Sequence, residues 1–249
     1  MKTIILLHGM PGQGDQWDEV SKALAPNPVI APTLEGFSDD WAEEGFPSTW
    51  HHARQIRDLV KGKAPDDLVC VAWSFGCHPL LLALSEGLAC RQAILFDPSS
   101  DTYLEPRERK AFQQDAGAAF GPLFAELGCV DNRRLAELSF AATGSISAWN
   151  ALDETRRTPF VRGAAALRRA FGSGASPDVL TKEDFARVKT PILVASGENS
   201  RAMFKLAADR LNAILPDARR ISIKGADHLW PVSRPTAFAS LIARQAGDV

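Results

Sequence analysis

Short apolar runs separated by helical stretches are the feature of this sequence that most limits its possible folds. Each run is apolar on nearly every position, which is typical of parallel strands covered by helices on both faces. The runs are residues 3–7, 29–32, 68–73, 93–96, 192–195 and 221–223. The helical stretches are residues 50–61, 77–86, 203–215 and 236–245. Strand and helix alternating with short links predict a doubly wound α/β fold with a mainly parallel sheet.

The middle of the chain lacks such runs. Residues 99–188 are helix-rich and are interrupted by prolines and glycines, among them Pro106, Pro159 and Gly172. This pattern predicts a bundle of short helices inserted between two strands of the sheet. We therefore divide the chain into an α/β core, residues 1–98 and 189–249, and a helical insert, residues 99–188.

Composition narrows the class of protein and of partner. The 249 residues, 45% of them hydrophobic and 23% charged, suffice for one globular domain with a sizeable core. The formal net charge of -2 gives no reason to expect nucleic acid as a partner. Residues 4–7 are too short an apolar run for a signal peptide, and no run approaches membrane-spanning length. We expect a cytoplasmic protein with no membrane partner, whose four scattered cysteines stay reduced.

A serine lies at the junction between a buried strand and a helix. Residues 72–76 are Ala-Trp-Ser-Phe-Gly, which matches the nucleophile-elbow pattern G-x-S-x-G except that Ala72 replaces the first glycine. Small residues are needed there because the serine occupies a strained turn close to the neighbouring strands. A helix N-cap serine would give the same local pattern, so this motif alone leaves the role of Ser74 open.

Two further segments follow strands in the order that serine catalysis on such a sheet requires. Residues 8–10, His-Gly-Met, follow the first strand, where a second oxyanion-hole amide is placed. His228 follows the last strand and precedes a helix. Each segment alone has an ordinary explanation, a turn for the first and a surface or core histidine for the second. Their ordered occurrence with Ser74 favours catalysis.

Together these motifs resemble those of α/β-hydrolase-fold proteins, in particular small esterases and C–C hydrolases with a helical lid. The resemblance covers nearly the whole chain. It rests on residues 8–12, 31–38, 72–76, 191–198 and 225–228. It implies that the helical insert is a lid. Family members usually have a two-stranded hairpin before the strand that leads to His-Gly, whereas this chain starts almost at that strand, so we expect about six strands.

The resemblance also implies a mechanism. Ser74 would be the nucleophile, His228 the general base, and the amides of Met10 and Phe75 the oxyanion hole. This arrangement cleaves a carboxylic ester, lactone or thioester of a small to medium apolar substrate through an acyl-enzyme, and it needs neither a metal nor an organic cofactor. C–C bond hydrolysis, lyase activity, cofactor-free oxygenation and ligand binding without turnover are the alternatives, because a fold does not fix a function.

The acid that orients His228 is where the sequence departs from the family pattern. The family has Gly-Glu-x-Asp after the strand at 192–195, whereas residues 197–200 are Gly-Glu-Asn-Ser. Serine cannot balance the charge of an imidazolium, so another carboxylate is wanted. We predict Asp97, because it ends the strand beside that of the nucleophile and some members of this fold use an acid there. The alternatives are Glu198, or no carboxylate and a plain turn at Asp97.

The surroundings of the site are less constrained by the sequence. Trp73, Trp149 and Trp230 are candidates for lining a substrate pocket, and core filling is the competing explanation. The partner that we expect is a small-molecule substrate, and we expect the chain to be a monomer or a homodimer.

Other polar residues fit a structural role better than a catalytic one. We expect His51 and His52, at the start of a polar helix, to be exposed to solvent, and His78, on the helix that follows Ser74, to pack or to form a hydrogen bond. Paired arginines of the insert fit a solvated helix face better than an anion site. These pairs are residues 133–134, 156–157 and 168–169.

Overall fold

One parallel sheet organises the protein. The computed structural model describes residues 1–38, 41, 45–173 and 177–247. Its strands are β1 (Thr3–Leu7), β2 (Val29–Ile30), β3 (Leu68–Trp73), β4 (Gln92–Phe96), β5 (Ile192–Gly197) and β6 (Ala218–Ile223). In the described chain they form a single six-stranded sheet in the order β2-β1-β3-β4-β5-β6, and every neighbouring pair is parallel. The predicted α/β sheet of about six strands is confirmed.

Helices cover both faces of the sheet and fill the long connection between β4 and β5. In chain order they are α1 (Asp18–Ala23), α2 (Thr49–Leu59), α3 (Cys77–Ser85), α4 (Pro106–Glu126), α5 (Asn132–Thr143), α6 (Ile146–Asn150), α7 (Glu154–Gly163), α8 (Ala165–Gly172), α9 (Lys182–Arg187), α10 (Ala202–Ile214), α11 (Trp230–Ser233) and α12 (Pro235–Ala246). Helices α4 to α9 lie within residues 99–188. None of the helices described is both long and apolar enough to cross a membrane.

Alternate residues of each strand face opposite layers of the core. In β1, Ile5 and Leu7 pack with residues of α2, α3 and α10, whereas Ile4 and Leu6 pack with residues of α1 and α12. All four side chains are fully buried. Because both faces are covered, the central strands must be apolar throughout, and this is the pattern that the sequence shows.

The edge strand β6 is longer than its apolar run predicts. The sequence predicts a strand over residues 221–223, but β6 begins at Ala218 and includes Arg219 and Arg220. An edge strand is paired on one side only, so its residues stay partly exposed and need not be apolar. Arg220 donates to the carboxylate of Asp209 at 2.9 Å and to the hydroxyl of Ser196 at 2.5 Å.

Polar contacts join several helices of the insertion to the core, α4 and α8 among them. Asp115 of α4 accepts a hydrogen bond from the Met203 amide at 3.0 Å and another from Arg201 at 2.5 Å, at the start of α10. Arg169 of α8 donates to the carbonyl oxygen of Gly36 at 2.7 Å. These contacts hold the insertion above the carboxyl edge of the sheet.

Gly163, at the end of α7, sets how closely the insertion approaches the loop after β1. A Cβ there would overlap the carbonyl oxygen of Pro11, a backbone atom that cannot rotate away. We expect Gly163→Ala to lower the free energy of unfolding, measured in urea, by about 1–3 kcal/mol, the scale of overpacking. Gly117→Ala in α4 is the matched control, because a Cβ there meets nothing within 4 Å. Equal stabilities of the two variants would contradict the close approach.

Candidate active site

The carboxyl ends of adjacent strands bring the predicted residues together. Ser74 follows β3 and Asp97 follows β4, so both lie at the same edge of the sheet. Both have a left-handed backbone, with φ values of 54° and 48°, and no other non-glycine residue in the described ranges does. Such a conformation costs about 1–3 kcal/mol and is typical of functional positions. The strain therefore singles out these two residues.

Glycines on either side make room for the turn that carries Ser74. A Cβ on Gly9 would lie 2.9 Å from the Cβ of Ser74, and one on Gly76 would lie 2.8 Å from the carbonyl oxygen of His8. Ala72, in place of the first glycine of the pattern, is fully buried in β3. Its methyl group is accommodated, so the departure from the pattern leaves the turn intact.

Three neighbours position His228, two through its ring and one through its backbone carbonyl. Its Nδ1 lies 3.1 Å from Oδ2 of Asp97, and its face stacks on Phe204 with ring centroids 3.9 Å apart. The indole of Trp73 donates to the carbonyl oxygen of His228 at 2.9 Å. No hydrogen bond joins Ser74 to His228 in the part of the chain that is described. Such bonds are often long in unliganded sites and shorten when substrate binds.

Asp97 contacts Ser200 as well as His228. The carboxylate is fully buried, and its Oδ2 accepts a hydrogen bond from the hydroxyl of Ser200 at 2.6 Å. Ser200 occupies the position at which the family pattern has an aspartate. In the sequence this serine is visible only as a missing carboxylate, because its hydrogen bond to Asp97 depends on side-chain geometry that the sequence does not contain.

Glu198 is turned away from His228. Its side chain is exposed, and its carboxylate accepts a hydrogen bond from the amide of Gly225 at 2.9 Å. The amide of Asn199 donates to the carbonyl oxygen of Ala226 at 2.8 Å. These bonds join the loop after β5 to the loop that carries His228, so Glu198 supports the position of the histidine loop.

A buried histidine orients the loop after β1. His8 Nε2 accepts a hydrogen bond from the Leu34 amide at 2.9 Å, so Nδ1 carries the proton and donates to the Gly9 carbonyl oxygen, also at 2.9 Å. Burial lowers the pKa of His8 to about 4, which keeps the ring neutral. Since C=O and N–H point in opposite directions in a trans peptide, this bond turns the Met10 amide away from His8.

The second predicted oxyanion-hole amide belongs to Phe75. It lies in the turn that leads from Ser74 into α3, where helix amides have no partner in the preceding turn. The ring of Phe75 packs against Phe37, Phe46 and His52. This aromatic packing fixes the residue that follows Ser74.

A cavity of about 10 Å³, room for about one water molecule, lies beside His228. Its core wall consists of residues 10–12, Trp73, His228 and Leu229, and its wall from the insertion consists of Ser139, Phe140, Thr143 and Phe160. None of these lining residues except His228 is ionisable. The cavity is therefore small, contains no carboxylate or ammonium group, and is bordered on one side by the insertion; Ser74 itself is not among its lining residues.

Only one of the three predicted tryptophans belongs to this lining. Trp73 borders the cavity directly. Trp149 lies behind it, with its ring centroid 5.1 Å from that of Phe140. Trp230 is partly buried and packs against the core, with its ring centroid 5.7 Å from that of Phe96 and 5.5 Å from that of Phe238.

The other histidines have partners outside this cavity. His51 pairs with the carboxylate of Glu35, and His52 contacts the carbonyl oxygen of the same residue at 2.8 Å. The expectation that His52 is exposed to solvent is wrong: its ring is fully buried because it packs against Phe37, Phe46 and Phe75, and burial lowers its pKa to about 4. His78 Nε2 contacts the carbonyl oxygen of Asp178 at 2.7 Å.

Most of the paired arginines contact other residues of the insertion. Arg133 forms a two-pronged pair with Glu154, and Arg134 pairs with Glu126 and Glu137. The pairs of Arg133 with Glu154 and of Arg134 with Glu126 join neighbouring helices, whereas the pair of Arg134 with Glu137 lies within α5. The expectation of a solvated face is wrong for Arg156, Arg168 and Arg169, because these side chains are partly buried and donate to the carbonyl oxygens of Val232, Leu127 and Gly36.

Comparison with known proteins places this geometry in a family. A sequence profile described as the alpha/beta hydrolase family matches residues 4–241. The chain belongs to the α/β-hydrolase family. This confirms the family inferred from the motifs. The comparison with curated proteins gave no match.

Solved structures of the α/β-hydrolase fold are similar over almost the whole chain. A bromoperoxidase from Bacillus anthracis is 15% identical, with a TM-score of 0.71 over 99% of this chain and 92% of that one. The carboxylesterase CesB from Bacillus subtilis is 16% identical, with a TM-score of 0.68 over 100% and 85%. Est816, described as an N-acyl homoserine lactone degrading enzyme, is 21% identical, with a TM-score of 0.67 over 98% and 93%. At these identities the likeness shows the fold alone.

Buried histidines with lowered pKa values, His8 and His52 foremost, make the stability of this α/β-hydrolase depend on pH. The pKa of His8 and of His52 is about 4 in the folded protein against 6.5 for an ordinary histidine, so unfolding takes up protons between these values. The free energy of unfolding therefore falls as the pH drops from 6.5 to 4, by up to about 3 kcal/mol for each histidine.

Urea denaturation at pH 7, 5.5 and 4.5 measures this loss. His52→Gln keeps a donor for the Glu35 carbonyl oxygen but cannot bind the extra proton, so its stability should fall less steeply with pH. An identical slope in His52→Gln and the wild type would show that His52 is not the group responsible.

Proposed function

We propose that this α/β-hydrolase is a serine hydrolase that cleaves a carboxylic ester, lactone or thioester through an acyl-enzyme. The observation that carries the proposal is the buried contact of 3.1 Å between His228 Nδ1 and Asp97 Oδ2, beside the strained turn of Ser74. A histidine held at Nδ1 by a carboxylate presents Nε2 as a base, which is what activation of a serine requires.

The proposed reaction gives each of these groups one role. His228 takes the hydroxyl proton of Ser74 as the oxygen attacks the substrate carbonyl, and then gives that proton to the leaving alcohol or thiol. The amides of Met10 and Phe75 stabilise the oxyanion, at about 3–4 kcal/mol for each donor. Water, deprotonated by His228, then attacks the acyl-enzyme and releases the acid and the free Ser74.

The lining of the cavity supports a neutral and largely apolar substrate. Apart from His228 it offers the rings of Trp73, Phe140 and Phe160 and the hydroxyls of Ser139 and Thr143. An anionic substrate would lose its hydration there without gaining a cationic partner. Ester and lactone chemistry is also what the names of CesB and Est816 describe for those proteins.

Substitution of the nucleophile and of the base tests the mechanism. Ser74→Ala should lower kcat on short-chain p-nitrophenyl esters by about 10⁴-fold or more, since the acyl-enzyme cannot form, and His228→Gln should be comparably damaging. Thermal unfolding of both variants checks that the fold is retained. Near-normal turnover by folded Ser74→Ala would exclude the mechanism.

The identity of the acid is tested by two isosteric changes. Asp97→Asn should lower kcat by about 10³- to 10⁴-fold, because the base loses its charged partner. Asparagine tolerates the left-handed backbone at this position, so the fold should survive. Glu198→Gln is the matched control and should keep most of the turnover, since Glu198 contacts Gly225 instead. A large loss confined to Glu198→Gln would assign the acid to Glu198.

We also propose that residues 99–188 act as a lid. Ser74 is only 7% exposed and the cavity holds about one water, so substrate entry requires the insertion to move. Hydrogen exchange should therefore be faster in α5 and α7, which border the cavity, than in β3 and β4. Equal protection in these helices and strands would contradict the lid.

A further inference from the structure

Ser200 touches the catalytic carboxylate, yet the proposed reaction assigns it no step. Its hydroxyl donates to Asp97 Oδ2 at 2.6 Å, and the same oxygen lies 3.1 Å from His228 Nδ1. Ser200 is 4% exposed and Asp97 is fully buried, so solvent competes little for this bond. The hydroxyl and the imidazole therefore share one carboxylate oxygen.

The Asp97 carboxylate has few hydrogen-bond partners among the described residues. Asp97 Oδ1 is buried and has no hydrogen-bond partner among the described residues. Both side-chain contacts fall on Oδ2, one from Ser200 and one from His228. A buried charge depends strongly on each of its donors, because the surrounding protein screens it weakly. Loss of the Ser200 hydroxyl would leave His228 as the remaining side-chain partner in the described chain.

The main chain, and not the hydroxyl, sets the position of Ser200. Its amide donates to the carbonyl oxygen of Gly197 at 3.1 Å, and the preceding amide, of Asn199, donates to Ala226 at 2.8 Å. A Cβ on Gly197 would lie within van der Waals overlap of the Ala226 carbonyl, so the two loops are in close contact. Removing the hydroxyl should therefore leave the turn in place.

We propose that Ser200 is a positioning residue that acts through Asp97 on His228. It holds Oδ2 in line with Nδ1, and it shares the negative charge of that oxygen, so that His228 releases its proton more readily than it would beside an unshared carboxylate. This inference rests on the proposed function, since the proton affinity of His228 affects the rate only if His228 is the base. The loop that supplies the acid in the family pattern here supplies a donor to it.

The other ionisable groups around His228 are unchanged by loss of this hydroxyl. The Cys77 thiol, on α3, faces Asp97, and burial raises its pKa well above the usual value, so it stays neutral. Asp227, on the histidine's own loop, accepts a hydrogen bond from the Leu229 amide at 3.0 Å. From α10 the facing residue is Phe204, which carries no charge. Ser200→Ala therefore isolates the effect of one donor.

The experiment is a ¹⁵N-histidine NMR titration of His228 in the full-length protein, combined with the pH profile of kcat/KM. In Ser200→Ala we expect the titration midpoint of His228 to rise by about half a pH unit and the acidic limb of kcat/KM to move with it. We also expect kcat to fall about ten-fold, as for other residues that orient a functional side chain. Ser200→Thr keeps the hydroxyl and should restore both values.

Ser196→Ala is the matched control, since Ser196 is a fully buried serine of β5 whose hydroxyl contacts Arg220. It should leave the His228 midpoint in place. Ser200→Gly removes the same hydroxyl and replaces the alanine variant if that variant does not fold. An unchanged midpoint in folded Ser200→Ala or Ser200→Gly overturns the inference. A raised midpoint in a protein without ester turnover supports the coupling and rejects the proposed function instead.

Discussion

The site depends on two left-handed residues at the ends of neighbouring parallel strands. Ser74 after β3 and Asp97 after β4 each leave the sheet in a conformation that non-glycine residues rarely adopt, which turns their side chains onto the carboxyl edge. The sheet can hold this strain because β3 and β4 are buried on both faces and paired along their whole lengths. Without that rigid pair, neither the turn of Ser74 nor the direction of Asp97 would be fixed.

Burial determines the hydrogen-bond partners and the charge of the polar groups around this site. A carboxylate with no exposure must be compensated, and Asp97 receives one hydroxyl and one imidazole on the same oxygen. Burial also keeps His8 neutral, so that its ring can accept from the Leu34 amide and donate to the Gly9 carbonyl oxygen, which orients the loop after β1. The insertion that helps to exclude water from these contacts also borders the cavity beside His228, so the proposed reaction requires the insertion to move for substrate to enter.

Much of this could be predicted from the sequence, for identifiable reasons. Strands buried on both faces must be continuously apolar, and the order of strands along the chain brings Ser74 and Asp97 to one edge. The edge strand β6 was predicted too short because an exposed edge tolerates arginines. The hydrogen bond from Ser200 and the stacking of Phe204 on His228 could not be predicted, since they depend on how loops meet. The sequence also does not show whether an aromatic side chain lines the cavity or packs against the core: Trp230 was a candidate for the cavity, and it packs against the core instead.

The most direct test of the account is to treat the protein with a fluorophosphonate and locate the adduct by tandem mass spectrometry. This reagent reacts with a serine that a neighbouring base activates. If His228 and Asp97 activate Ser74, the wild type should carry a single adduct on Ser74, and Asp97→Asn should be labelled much more slowly. Labelling of a different residue, or no labelling of the folded protein, would contradict this activation.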